Sequence, residues 1–108
     1  MNFYKKPAWI HRRESVLQRD NYICQECKRY GKSKSASIVH HIIPLAWCLI
    51  HNPALALDPI NLIALCPKCH NEMHDRDSNK LTAKGIEWVK RMGTMGLNWI
   101  EKYFNKEN

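Results

Sequence analysis

Acidic residues are scarce in this 108-residue chain: 10 Asp and Glu stand against 17 Lys and Arg, a formal charge of +7 at pH 7. That imbalance favours a polyanionic partner such as nucleic acid. Long apolar runs are missing too. No stretch approaches the roughly 20 apolar residues of a membrane span. The opening segment, MNFYKKPAWIHRRE, carries charge with no apolar run behind it, so a signal peptide is not expected there. The expected compartment is therefore the cytoplasm, where cysteines stay reduced and close pairs point to metal before disulfide. There is no low-complexity tract and no internal repeat beyond two Cys-x-x-Cys pairs. What is present is 44% hydrophobic residues, enough to rule out compositional disorder. The length fits one domain, residues 1–108, with a core small enough to need a staple.

The pattern predicts mixed α+β structure. Pro7 to Arg19 reads as a helix with Trp9, Val16 and Leu17 on its apolar side, ended by Asp20-Asn21. Tyr22 to Cys24 reads as a short strand entering a turn, and Lys28 to Ser37 as a polar loop. Ser37 to Leu45 (SIVHHIIPL) is β-branched and reads as a strand, and Ile60 to Leu65 as a second. Between them, Ala46 to Pro59 is expected to be loop with one helical turn, with Trp47 and Leu49 packing inward. Pro67 suits the first position of a helix running to about Asp75. Two more short helices are expected at Leu81 to Arg91 and Leu97 to Phe104, so that a core of about 7–76 precedes a helical extension of about 81–105.

Cys24-x-x-Cys27 and Cys66-x-x-Cys69 carry the strongest structural signal. Two intervening residues let both thiolates of a tight turn reach one ion at about 2.3 Å, and two such turns complete a tetrahedron. Soft thiolates select zinc over magnesium or calcium. The 38 residues between Cys27 and Cys66 exceed a simple ribbon and include His40, His41 and Asn61. No thioredoxin-like pattern surrounds either pair, and Cys48 reads as a small buried hydrophobe.

His40 and His41 are neighbours on a predicted strand, so a regular strand turns them to opposite faces; a bulge or strand end would let both serve one centre. His70 and His74 stand at i and i+4 on the predicted helix and share a face there, a spacing suited to two imidazoles on one ion. Cys69 lies about 100° around the helix from His70, so one helix could serve zinc and a second ion. A rival division pairs Cys66, Cys69, His70 and His74 in one site and Cys24, Cys27, His40 and His41 in another; adjacent Cys69 and His70 would strain to share an ion.

Val39-His40-His41-Ile42-Ile43-Pro44, Asp58-Pro59-Ile60-Asn61-Leu62 and Leu65-Cys66-Pro67-Lys68-Cys69-His70-Asn71-Glu72-Met73-His74, in that order, resemble the HNH endonucleases. The signature letters fall on His41, Asn61 and His70, and Trp9 to Cys27 resembles the lead-in of members with two cysteine knuckles. The doubled histidine and closing His-x-x-x-His look like colicin nuclease domains. The four cysteines and small size look like free-standing phage nucleases, some encoded near DNA-packaging genes. The resemblance implies a ββα-metal (His-Me finger) fold. It also implies His41 as general base, and His40, His70 and His74 as ligands of one divalent ion. Asn61 would brace the loop that orients His41 or, in some members, touch the metal. Many members carry Asp where this chain has His40, and imidazole favours zinc, nickel, cobalt or manganese over magnesium.

Such a set can hydrolyse a phosphodiester: a cation stabilises the crowded phosphate and the leaving oxygen, and a histidine takes the proton of water. The expected cofactors are thus a structural zinc and one catalytic ion among Mg, Mn, Ni, Co and Zn. DNA, more readily double-stranded, is the expected partner, along with DNA-packaging or DNA-processing proteins. Arg12, Arg13, Arg19, Lys28 and Arg29, with Lys32 and Lys34, precede the motif and are candidate phosphate contacts. No recognition-helix pattern is visible, and backbone contacts alone do not read bases, so low sequence specificity is expected. The competing reading is a non-catalytic, zinc-stapled DNA-binding or docking module. It explains cysteines and charge but not four histidines and an asparagine around the knuckles.

Overall fold

The structure, a computed structural model, describes residues Asn2 to Phe104. It comprises two compact units, Met1–His70 and Asn71–Asn108.

In the first unit a single turn of 3₁₀ helix, Phe3–Lys5, leads into α1, Pro7–Arg19, with the predicted boundaries. Pro7 opens α1, where its missing N–H costs nothing. Trp9, Val16 and Leu17 are its buried residues, as the spacing requires. Asn21 and Tyr22 stop it by taking left-handed backbone, φ 56° and 57°, while Tyr22 N–H closes back on the Leu17 carbonyl at 2.8 Å. The expected strand at Tyr22 to Cys24 shrinks to one bridge, Ile23 with Ser35. The chain is drawn instead into α2, the four-residue turn Gln25–Lys28, because the Cys27 N–H points at Cys24 Sγ.

Strands β1, Ile38–His41, and β2, Leu62–Leu65, pair antiparallel with His40 opposite Ile63 and His41 opposite Leu62. Both are shorter than predicted, and Asn61 is the reason. Its backbone carbonyl takes the Ile42 N–H at 2.9 Å and its side-chain Oδ1 takes the Ile43 N–H at 2.7 Å, so β1 ends at His41. Ahead of β2, Pro59–Asn61 forms a 3₁₀ turn capped by Asp58, whose carboxylate accepts from Ile60 N–H.

The segment expected as loop folds as α3, Leu45–His51, then a 3₁₀ turn, Pro53–Ala56. Pro44 and Pro53 precede or open helical turns here, a place where proline is tolerated. They bracket the helix rather than excluding it. Cys48 faces inward at 0% exposure with Leu55 and Ala56, as expected of a small buried hydrophobe, and Trp47 is half-buried, whereas Leu49, expected to pack inward, is 48% exposed. β2 leads into α4, Pro67–Asn71.

α4 ends four residues short of the predicted Asp75. In the second unit the Glu72 and Met73 carbonyls accept from Thr82, through its hydroxyl at 2.6 Å and its N–H at 3.0 Å. His74 therefore leaves the helix and pairs with Leu81 in an isolated bridge, so the expected shared helical face with His70 does not form. Thr82 also caps α5, Ala83–Lys90. Gly85 has no room for a side chain, since a Cβ there would lie 2.5 Å from the Met73 carbonyl oxygen. After Gly93, α6 runs Thr94–Trp99, earlier than predicted, and continues as one π-helical turn, Ile100–Phe104.

Candidate functional site

The four cysteines of the two knuckles converge. Their sulfurs lie within 4.8 Å of one another, and Cys27 Sγ is 3.7 Å from Cys69 Sγ. A tetrahedron of about 2.3 Å Zn–S bonds has edges of roughly 3.8 Å, so the donor set fits zinc in size and in softness. Each knuckle is braced alike: Cys27 N–H donates to Cys24 Sγ and Cys69 N–H to Cys66 Sγ, both at 3.5 Å. Burial raises the thiol pKa at Cys27 and Cys69. At Cys66 burial also acts upward, but hydrogen bonds from the Cys69 N–H and the neighbouring thiols outweigh it and bring the thiol to about 7. The cluster is consistent with a zinc site, and it replaces the rival mixed cysteine–histidine division.

The hairpin separates the two histidines. His40, 1% exposed, meets the His70 ring edge-on, centroids 5.4 Å apart at 66°. Among the described residues, the group of three or more metal-ligating side chains whose donor atoms converge is the cysteine cluster, and His40, His70 and His74 do not form a second one. His41, 6% exposed, packs elsewhere: its ring stacks on Trp9, centroids 4.9 Å apart at 23°, and meets Phe3 edge-on at 5.7 Å. Its Nε2 lies 3.0 Å from the Ala56 carbonyl oxygen. A carbonyl only accepts, so Nε2 carries the hydrogen and Nδ1 keeps the lone pair. Burial lowers the His41 pKa, and the bond to Ala56 offsets part of that.

Asn61 binds this region together. Fully buried, it accepts from Ile43 N–H through Oδ1, while Nδ2 donates to the Ile43 carbonyl at 3.1 Å and the Leu55 carbonyl at 3.4 Å. Leu55 precedes Ala56, so Asn61 holds the segment that supplies the His41 partner. Its side-chain polar atoms are engaged with the loop.

The HNH endonuclease family profile matches residues 24–76, the span from the first knuckle to just past His74. A protein described as a probable HNH endonuclease in Lactococcus phage SK1 is 39% identical over 84 residues, 78% of this chain and 84% of that protein. The chain belongs to the HNH endonuclease family. The fold agrees: the crystal structure of the HNH endonuclease of the deep-sea thermophilic bacteriophage GVE2, with manganese ion, matches with a TM-score of 0.56 and 42% identity, over 64% of this chain and 71% of that one. An HNH endonuclease is a phosphodiester hydrolase, and no described helix of this one is long and apolar enough to cross a membrane.

Among the basic residues, the HNH endonuclease uses Arg19 for its own fold. Its guanidinium donates to both oxygens of Asp20 at 2.9 and 3.0 Å, to the Pro59 carbonyl at 2.9 Å and to the Leu62 carbonyl at 2.8 Å. Four of its five N–H groups are thus committed to a clamp between α1 and the β2 entry. Arg13 donates to the Ser37 carbonyl and Arg29 to Glu26, while Lys28, Lys32 and Lys34 are exposed. Sequence reasoning missed Asp20, whose carboxylate also accepts the Ala64 N–H at 3.0 Å, and it missed the stack of Trp9 on His41. Trp9 was legible only as an apolar helix position.

Proposed function

We propose that this endonuclease cuts DNA with His41 Nδ1 as general base and a single divalent ion bound by His40, His70 and His74, the cysteine-bound zinc serving as a staple. The observation that carries the reading is the division of duties on β1: His40 meets His70, while His41 is held by Ala56 with one nitrogen left basic. His74 enters as third ligand on the family resemblance alone. Manganese in the solved phage relative supports a divalent ion here, and the imidazole-rich donor set favours manganese, nickel, cobalt or zinc.

When bound, the ion supplies charge to the crowded phosphate and to the leaving oxygen. His41 Nδ1 accepts the proton of the attacking water, and the Ala56 carbonyl steadies the imidazolium that results by keeping its bond to Nε2–H. Asn61 keeps that carbonyl in place. The surplus of 17 basic over 10 acidic residues supports a nucleic-acid substrate, with Arg12, Arg13, Lys28 and Arg29 toward phosphates. Contacts to the phosphate backbone do not read bases, which supports low sequence specificity. The matched relatives come from phages, which supports a role in phage-infected bacteria; a cytoplasmic place and the processing of DNA for packaging rest on the family resemblance alone.

The test is nicking of supercoiled plasmid with chelator and with each ion. His41→Ala should lose about 10²- to 10⁴-fold in rate while keeping zinc, fold and DNA binding. A wild-type rate in that variant, or no cutting of any nucleic acid with any ion by wild type, defeats the proposal.

A further inference from the structure

We infer that Trp9 is a positioning residue for His41, fixing the plane of the imidazole so that Nδ1 faces one direction. The inference rests on the reading of His41 as the base. One hydrogen bond, from Nε2 to the Ala56 carbonyl, pins one atom of the ring. The ring can still pivot about the line from its attachment carbon to that nitrogen, and the pivot swings Nδ1 sideways. The indole of Trp9 closes this freedom. It lies 23° from parallel with centroids 4.9 Å apart, and it is itself only 4% exposed on a thirteen-residue helix. Phe3 meets the ring edge-on at 67°. The two restraints have separate origins: Asn61 and the Leu55-Ala56 segment set the hydrogen bond, and α1 sets the stack. A flat wall against a base matters because small misplacements of a reacting group can cost about 10²-fold in rate.

The consequence falls on the chemical step, not on DNA affinity. The experiment uses the full zinc-loaded chain, supercoiled plasmid and Mn²⁺, under single-turnover conditions with enzyme in excess. Trp9→Met fills the space with a flexible side chain, and Trp9→Phe restores a flat ring. Trp9→Met should lower the saturated cleavage rate by roughly ten- to a hundredfold, with the half-saturating enzyme concentration within about twofold of wild type. Trp9→Phe should regain most of that loss. In the His41→Ala background, Trp9→Met should change the rate by less than about twofold, since residues that act as one unit are not additive. The same loss in both backgrounds, or a Trp9→Phe as slow as Trp9→Met, overturns the inference and leaves the base reading standing. A fully active His41→Ala removes both. Should Trp9→Met not fold, the wild-type protein still decides: the His41 ring protons must resonate upfield under the indole ring current, with a single Nε2–H tautomer in long-range ¹H–¹⁵N spectra. Unshifted protons or mixed tautomers overturn the inference.

Discussion

Replacing Asn61 by alanine tests how the hairpin loop is held. The side chain is fully buried and serves three backbone groups besides its weak contact with Cys48. The losses are unequal. The Ile43 N–H, in a residue only 1% exposed, has Asn61 Oδ1 at 2.7 Å as its acceptor and is stranded when it goes. A stranded buried donor costs about 1–3 kcal/mol. The two carbonyls fare better. Leu55 keeps a bond from Asp58 N–H at 3.3 Å, and Ile43 keeps a weak one from the Cys48 thiol at 3.5 Å. Adding their weaker losses and a small cavity, Asn61→Ala should cost about 2–4 kcal/mol. With a urea slope of about 1–3 kcal/mol/M, the midpoint should fall by roughly 0.7–4 M, measured with zinc saturated. Assayed well below its melting temperature, the variant should cut more slowly than wild type but faster than His41→Ala, because it disturbs the Ala56 carbonyl without removing the base. An unchanged urea midpoint would refute the reasoning.

Elemental analysis should find one zinc per chain on Cys24, Cys27, Cys66 and Cys69. Stripping it should unfold the first unit by circular dichroism, since metal binding and folding are coupled in such sites; folded, zinc-free protein would contradict this. His40→Ala, His70→Ala and His74→Ala should each weaken Mn²⁺ binding by calorimetry while the zinc content stays at one. Loss of zinc in the same variants would restore the mixed-ligand arrangement. Arg19→Ala should lower the melting temperature by breaking its four bonds, yet leave the salt dependence of DNA binding unchanged. Lys28→Ala should leave stability unchanged and reduce the salt slope by about 1. An Arg19 variant that alters the slope would return that residue to the DNA surface.

Local chemistry made part of this protein legible from its sequence. Pro7 and the i, i+7, i+8 spacing of Trp9, Val16 and Leu17 defined α1 to the residue, because a helix start and an apolar stripe are properties of neighbouring positions. The two Cys-x-x-Cys turns announced one four-sulfur cluster, because two tight turns of thiolates leave few ways to satisfy one soft ion. The ordered histidines and asparagine announced the family, and strand alternation announced that His40 and His41 would part.

What remained depended on partners far along the chain. Asn61 ended β1 with bonds spanning eighteen residues, and Thr82 engaged the Glu72 carbonyl just past the end of α4. Arg19 looked like any surface arginine until Pro59 and Leu62 turned their carbonyls toward it. Trp9 looked like ordinary core until His41 lay flat against it. Periodicity and turn chemistry record what a residue does with its neighbours in sequence. Which buried polar group it satisfies, and which ring it steadies, is settled only when distant segments pack and exclude water. The sequence by itself determined the metal-binding knuckles, the family and α1, while the tertiary structure decided where the strands stop and which side chains serve the fold.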